Sequence, residues 1–210
     1  MAEMGKALFW ILLILTVAGG FAVPWLLAKR VPGYDARRTA ISALGGTDSP
    51  VKRWYNGWLI WLGCFLSVAA VVFFLLFWEQ FPVLAGLMLA SILIFAWGAG
   101  LLDGLFPVNS DKTQLTRSAR IHGIGSAIGF FALLFFPLWM ALAMQGRQPG
   151  AAVLCLMSFL LAVGFFVLFV LSDHERFRGT VIAYEGLWER LALLAMYLPF
   201  LYQAGYCLMN

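Results

Sequence analysis

Long apolar segments alternate with short polar ones along the whole chain. Each apolar segment is close to the roughly 20 residues that a helix needs to cross about 30 Å of hydrocarbon. The pattern predicts six transmembrane helices, at Leu8–Ala28, Gly57–Phe77, Val83–Phe106, Ile124–Met144, Ala151–Ser172 and Leu187–Cys207. The period-two alternation of a membrane β-barrel is absent from the sequence. We therefore expect an all-α polytopic membrane protein, with residues 1–210 forming one six-helix bundle.

The connections between the predicted spans differ in length. Those after the first, third and fifth spans are long and polar, and the other two are short. Because successive spans alternate in direction, the three long loops share one side, the loop face, and both termini lie on the other. In the first loop, Asp35 fits the N-cap and Gly45 or Gly46 the C-cap of a short helix. Its apolar stripe is formed by Ala40, Ile41 and Leu44. We expect this helix to lie in the plane of the membrane interface.

Composition supports the membrane assignment. The chain is 63% hydrophobic and 11% charged, whereas soluble domains carry about 25% charged residues. The first apolar segment is too long for a secretory signal and lacks a small-residue cleavage site. Cys64, Cys155 and Cys207 lie in apolar segments without metal-binding spacing, which favours buried thiols over ligands or a disulfide.

Basic residues are concentrated on the loop face. They are Lys29, Arg30, Arg37, Arg38, Lys52, Arg53, Lys112, Arg117, Arg120, Arg176 and Arg178, with Arg190 just inside the last span. The opposite face carries Lys6 and Arg147. The positive-inside rule then places the loop face in the cytoplasm and both termini outside, in a multi-pass inner-membrane protein. Arginines that bind an anionic head group would bias this count.

Polar side chains within the spans or next to their ends also gather near the loop face. They are Asn56, Asp103, His122, Ser126, Glu185, Glu189 and Arg190. His122 and Ser126 are four residues apart, as are Glu185 and Glu189, so each pair shares one helix face. Because charges are costly in a bilayer unless they are paired or hydrated, we expect these residues to form a polar cup at the helix ends.

Neighbouring residues on a helix point about 100° apart, so Glu189 and Arg190 need separate partners. We expect Glu189 to pair with Arg117, Arg120 or His122, and Arg190 with Asp103 or a lipid phosphate. The simpler alternatives are that Arg190 reaches to the interface and that His122 is a structural histidine. The spacing of Gly100/Gly104 and Gly125/Gly129 predicts close packing of the third and fourth spans.

Several ordered segments resemble the bacterial and archaeal six-span family grouped as domain of unknown function 998. They are PGYDARRTAISALGG followed by YNGWLIWLG, GLFPVN before RIHGIGSAIGF, and YEGLWERLALL. The corresponding positions are Gly33, Tyr34, Ile41, Ser42, Leu44, Gly45, Asn56, Gly104, Phe106, Pro107, His122, Gly123, Gly186, Glu189 and Arg190. The resemblance covers nearly the whole chain and implies a six-span fold with a motif-bearing face, but no activity. Basic residues of that family often lie on the short loops, so the resemblance favours the opposite orientation.

Three functional hypotheses follow. The first is an enzyme or handler of lipid head groups, in which arginines bind a phosphate by bidentate hydrogen bonds. Its predicted ligand-binding residues are Tyr34, Arg37, Arg38, Asn56, Arg120, Ser126, Glu185 and Arg190. His122 would be the general acid or base, tuned by Asp103 or Glu189. Whether any catalysis occurs stays open.

The second hypothesis is a scaffold whose polar cup is structural, with a protein partner or a homo-oligomer. The third is a lipid carrier or transporter, which the apolar midplane of the spans disfavours. Membrane lipids, anionic ones among them, are the expected partners in the first and third cases. No zinc-like spacing, deep haem histidine or nucleotide motif is present, so we predict no metal, no cofactor and no nucleic acid.

Overall fold

The computed structural model of the protein describes residues 2–109 and 116–210, with side chains from residue 4 onward. Within these residues, six helices are long and apolar enough to cross a membrane. They are α1 (Ala2–Ala28), α2 (Lys52–Phe77), α3 (Pro82–Leu105), α4 (Arg117–Met144), α5 (Pro149–Leu171) and α6 (Glu185–Met209). The predicted six-span, all-α membrane bundle is confirmed. Lys112, counted above on the loop face, lies outside the described residues.

Several helices extend beyond the predicted spans at the loop face. α2 begins at Lys52 rather than Gly57, and α4 begins at Arg117 rather than Ile124. At the start of α4, the side-chain oxygen of Thr116 accepts a hydrogen bond from the Ala119 N–H at 3.2 Å. Hydropathy marks only the part of a helix that crosses hydrocarbon, whereas backbone hydrogen bonding continues into the polar interface.

The first loop contains a shorter and more buried helix than predicted. A 3₁₀ helix spans Ile41–Gly45, with Ala40 at its N-cap and Gly46 at its C-cap. Asp35 does not cap it, because the Asp35 carbonyl closes a separate turn with the Thr39 N–H at 2.8 Å. Ile41 and Leu44 are buried in the core of the bundle. The apolar stripe of this segment therefore packs into the core of the bundle.

Two spans depart from regular α-helical geometry. The Ala96–Leu102 segment of α3 is π-helical, and Asp103 follows it directly. α4 is interrupted at Phe135, two residues before Pro137. Pro24 and Pro199 lie within α1 and α6 without such an interruption. Single π turns are frequent at functional sites, so the one beside Asp103 bears on the site described below.

Glycines let α3 approach two neighbouring helices closely. A Cβ atom on Gly98 would collide with the carbonyl oxygen of Gly125 in α4. On the other side of α3, Gly100 lies against Gly63 of α2, and Gly104 lies against the α2 backbone. The predicted close packing of α3 on α4 is present, but the prediction that Gly100 and Gly104 provide it is wrong. Positions two apart on a helix point roughly 200° apart, so Gly98 and Gly100 face different partners.

The half of the bundle away from the loop face is filled by aromatic side chains. Phe73, Phe136 and Phe200 are fully buried, and the ring centroids of Phe136 and Phe200 are 4.4 Å apart. Phe73 meets both of these rings edge-on, at 5.4 and 5.3 Å. This packed layer confines the buried polar residues described next to the loop-face end of the bundle.

Candidate functional site

A cavity of about 300 Å³ lies at the loop-face end of the bundle. Residues from all six spanning helices and from the first loop line it. Most of its wall is apolar and includes Leu62, Phe95, Phe130, Phe166 and Leu193. Its polar lining consists of Ser42, Tyr55, Asp103, His122, Ser126, Glu185, Glu189 and Tyr197. The structure thus brings together carboxylates and a histidine from α3, α4 and α6, which are far apart in sequence.

Asp103 is the polar group at the end of the π-helical segment of α3. It is buried, and its Oδ2 accepts a hydrogen bond from the Ser126 hydroxyl of α4. Its Oδ1 lies 3.5 Å from His122 Nδ1 and makes no hydrogen bond. No lysine or arginine in the described chain is within ion-pair distance of this carboxyl group. Asp103 therefore retains hydrogen-bonding capacity that no described residue uses.

The orientation of His122 follows from its contact with the end of α3. Its Nδ1 lies 2.9 Å from the carbonyl oxygen of Phe106. A carbonyl oxygen can only accept, so Nδ1 carries the proton of this hydrogen bond. In the neutral ring Nε2 then holds a lone pair, and it has no hydrogen-bond partner among the described residues. His122, which lines the cavity, thus has one ring nitrogen available to accept a proton or a hydrogen bond.

Glu189 holds the first loop against the bundle. Its Oε2 accepts a hydrogen bond of 2.6 Å from the backbone N–H of Ile41. This contact places Ile41 and Ser42 in the cavity wall. Two of the partners predicted for Glu189, Arg117 and Arg120, are exposed on α4 and do not line the cavity.

Arg190, the next residue of α6, also binds the first loop. Its Nη1 donates to the carbonyl oxygens of Ala36 and Gly186, each at 2.7 Å, and of Thr39 at 3.3 Å. Its Nη2 donates to the Tyr34 hydroxyl at 2.8 Å. The prediction that Arg190 pairs with Asp103 is wrong, because backbone carbonyls of the loop occupy its guanidinium group. Arg190 does not line the cavity.

Tyr34 and Gly186 complete this attachment. The Tyr34 hydroxyl donates to the carbonyl oxygen of Ala40 at 3.0 Å. Burial raises the pKa of this phenol, and the neighbouring Arg190 partly opposes that rise. A Cβ atom on Gly186 would collide with the carbonyl oxygens of Ala36 and Thr39. The loop can therefore approach α6 this closely because residue 186 is a glycine.

The remaining predicted ligand-binding residues lie apart from the cavity. Arg37 and Arg38 are exposed, and each has its Nε within 4 Å of an Asp35 oxygen, at 3.9 and 3.7 Å. Asn56 is buried, and its Oδ1, which lacks a hydrogen-bond partner, faces Gly45 of the first-loop helix. The structure therefore divides the predicted site residues into a cavity lining and a set that holds or flanks the first loop.

Two parts of the cavity were not identified from the sequence. Tyr55, in the first turns of α2, is buried and lines the cavity beside Trp58. Phe166 and Phe169 of α5 supply apolar wall. Tyr55 is the first residue of the YNGWLIWLG segment and precedes Asn56, so the sequence did contain a signal for its position. The two phenylalanines carried none, because every face of α5 is apolar.

The cavity lining is rich in acceptors and acidic groups. Asp103, Glu185 and Glu189 line it, and no lysine or arginine of the described residues does so. Arginine is the side chain that commonly recognises phosphate in proteins, through paired N–H donors. The lining therefore complements a group that donates hydrogen bonds or carries positive charge.

Most of the chain matches one known protein family. A family model described as "Protein of unknown function (DUF998)" matches residues 14–204. The chain belongs to this family. The matched region includes α2 to α5 and every polar residue of the cavity lining. Searches of curated proteins and of solved structures find no match. This DUF998 protein is therefore an integral membrane protein of unestablished activity.

Proposed function

We propose that this DUF998 protein binds an amphiphile in the loop-face cavity. The apolar part of the ligand would lie against Phe95, Phe130 and Phe166, and its head group would meet Asp103 and His122. A volume of about 300 Å³ is at the lower end of the range for small-molecule sites. A cavity of this size suits a small ligand, or a ligand with one alkyl chain that enters the cavity only in part.

One observation carries the choice of head group. The carboxyl oxygen Oδ1 of Asp103 and the ring nitrogen Nε2 of His122 are acceptors without a hydrogen-bond partner in the described chain. An ammonium head group can donate to both atoms and a hydroxyl head group to either one, whereas a fully ionised phosphate has no proton to donate. We accordingly propose an amine- or hydroxyl-bearing amphiphile for this cavity in place of the phosphate-bearing one expected from the sequence.

The test compares amphiphiles that differ only in head group. The purified protein in mild detergent is titrated with dodecylamine, dodecanol and dodecyl phosphate, and the thermal unfolding midpoint is recorded. We expect the amine or the alcohol to raise this midpoint, and Asp103→Asn to abolish the rise. Glu79→Gln, an exposed change on the opposite face, serves as the matched control. A larger rise with dodecyl phosphate would contradict the proposal.

Acid–base chemistry by His122, Asp103 and Glu189 stays a prediction. The free Nε2 of His122 supports it, since this atom can accept a proton from a bound hydroxyl or ammonium group. After lipid extraction and mass spectrometry of the copurified amphiphile, turnover of that compound is measured with the wild type and with His122→Gln. Turnover that His122→Gln leaves unchanged would remove this role.

A scaffold function is the second candidate, and a specific observation favours it. Glu189 and Arg190 both bond to the backbone of the first loop, as expected if the polar residues lock helix ends together. A variant Glu189→Ala that loses stability without any change in copurifying amphiphile would support it. The lipid-carrier hypothesis has less support, because the layer of Phe73, Phe136 and Phe200 fills the core beyond the cavity.

We propose that the protein lies in the inner membrane and that its loop face is on the cytoplasmic side. The excess of lysine and arginine in the long loops supports this placement. The resemblance described above favours the reverse, and the labelling experiment in the Discussion distinguishes the two.

A further inference from the structure

A second concave surface lies on the outside of the bundle, between α1 and α2. It is a groove of about 780 Å³ at the loop-face end of these helices. It is lined by Val23, Leu26, Leu27, Lys29, Arg30, Arg53, Trp54, Gly57, Trp58 and Trp61. None of the residues that carry the proposed function above belongs to this lining, so the groove is a separate feature.

The basic side chains of the groove come from the C-terminal end of α1 and the N-terminal end of α2. Lys29 and Arg30 follow the last turn of α1, and Arg53 lies in the first turn of α2. All three are exposed, and no carboxylate of the described residues forms an ion pair with them. The Lys29 Nζ lies 3.4 Å from the centre of the Trp25 ring. This ring attracts the ammonium group but carries no net negative charge that would neutralise it. The top of the groove therefore presents three cations that no carboxylate of residues 4–109 or 116–210 neutralises.

Below these cations the groove becomes apolar. Leu26 and Val23 descend along α1, and Trp61 lies about two turns below Arg53 on α2. Trp54 and Trp61 are 70% and 48% exposed, too large an exposure to be explained by packing within the bundle. Indole rings favour the level of lipid head groups and glycerol. The order from cation to indole to aliphatic side chain matches that of phosphate, glycerol and acyl chain in a phospholipid.

We propose that this groove is a binding site for one anionic phospholipid. The phosphate lies among Lys29, Arg30 and Arg53, and one acyl chain follows Leu26, Leu27 and Trp61. A zwitterionic phospholipid has the same chains, but its cationic head group meets three like charges and binds more weakly. Trp58 lines both the groove and the cavity, so the bound lipid lies directly against the wall of the cavity.

The test uses native mass spectrometry of the full-length protein in detergent. Phosphatidylglycerol and phosphatidylcholine with identical chains are titrated separately. We expect wild type to bind one phosphatidylglycerol at least ten-fold more tightly than phosphatidylcholine. The variant Lys29→Gln/Arg30→Gln/Arg53→Gln should lose this preference, because the affinity for phosphatidylglycerol should fall about five-fold for each cation removed.

The matched control Arg117→Gln/Arg120→Gln/Arg176→Gln removes the same charge from exposed positions of the same face, outside the groove. We expect it to keep the preference. An equal loss in the control, or no preference in wild type, would overturn the proposal, because the attraction would then be non-specific or absent. Displacement of the lipid by millimolar inorganic phosphate would also overturn it, since the site would then recognise a bare anion.

Two further measurements keep the test decisive. If the triple variant does not fold, Arg53→Gln alone should weaken phosphatidylglycerol binding about five-fold, and an unchanged affinity would count against the site. Asp103→Asn should leave this binding unchanged. The experiments can therefore disprove the proposal of a cavity ligand and the proposal of a groove lipid independently of each other.

Discussion

At the scale of residues, Glu189 and Arg190 are adjacent charged residues on one helix whose side chains lie in different environments. The Glu189 carboxylate lines the cavity and accepts the Ile41 N–H, whereas the Arg190 guanidinium donates to carbonyl oxygens of residues 36, 39 and 186. The roughly 100° between successive side chains makes this division possible. Both side chains therefore bond to the backbone of the first loop, Glu189 to an N–H group and Arg190 to carbonyl oxygens.

Arg190→Lys tests whether geometry or charge matters at this position. The ammonium group of lysine lacks the planar set of donors that reaches both the loop carbonyls and the Tyr34 hydroxyl. We expect a loss of about 2 kcal/mol of unfolding free energy, since hydrogen bonds to charged groups contribute about 1.5–3 kcal/mol each. Thermal unfolding in detergent measures it. The exposed change Arg120→Lys should cost less than about 0.5 kcal/mol, and equal effects of the two would contradict the assignment.

At the scale of elements, the first loop acts as a wall held by α6. Its 3₁₀ helix Ile41–Gly45 is too short to be stable by itself. Its position depends on the Glu189 and Arg190 contacts and on the close approach that Gly186 permits. The loop is consequently the part of the cavity wall that a single change in α6 can release.

Glu189→Ala should release this wall locally. The change leaves the Ile41 N–H without its acceptor, at a cost of about 1–3 kcal/mol. We expect the amide hydrogens of the first loop to exchange about ten-fold faster or more, as measured by hydrogen exchange and mass spectrometry. Glu189→Gln keeps an acceptor oxygen and should change the exchange far less, and Glu79→Ala on the opposite face should have no effect. Unchanged exchange in Glu189→Ala would show that other contacts hold the loop.

At the scale of the whole molecule, polarity is distributed along one axis. Fully buried aromatic rings fill the half near the termini, and the cavity, its acidic groups and most of the basic residues occupy the loop-face half. The acidic groups line the interior, whereas the groove cations lie on the outside. This arrangement separates two chemically different surfaces within one end of a small bundle.

Thiol labelling tests the orientation of this axis. Asp48→Cys places a thiol in the first loop, and Asn210→Cys places one at the C-terminus, each in a Cys64→Ser/Cys155→Ser/Cys207→Ser background. With a membrane-impermeant maleimide on intact cells, we expect labelling at position 210 and none at 48 until the cells are lysed. Labelling at 48 alone in intact cells would place the loop face outside and contradict the charge-based assignment.

The sequence predicted the number and approximate ends of the spans, because long apolar segments have few other stable arrangements in a bilayer. It also predicted that the ionisable residues of α3, α4 and α6 lie at one end, since alternating helix direction fixes the level of each. It did not reveal which side of each helix faces the interior, because nearly uniform apolar helices such as α5 carry little periodic signal.

The tertiary structure decided what each of these groups contacts. The π-helical segment of α3 could not be read from an apolar run, yet it precedes Asp103, which meets Ser126 and His122. Close approach of the first loop placed the Arg190 guanidinium against backbone carbonyl oxygens, so this cation does not line the acidic cavity. The cations Lys29, Arg30 and Arg53 line the outer groove instead. Hydropathy along the chain fixes the depth of a residue in the membrane, but its neighbours depend on helix rotation and packing, which are properties of the assembled bundle.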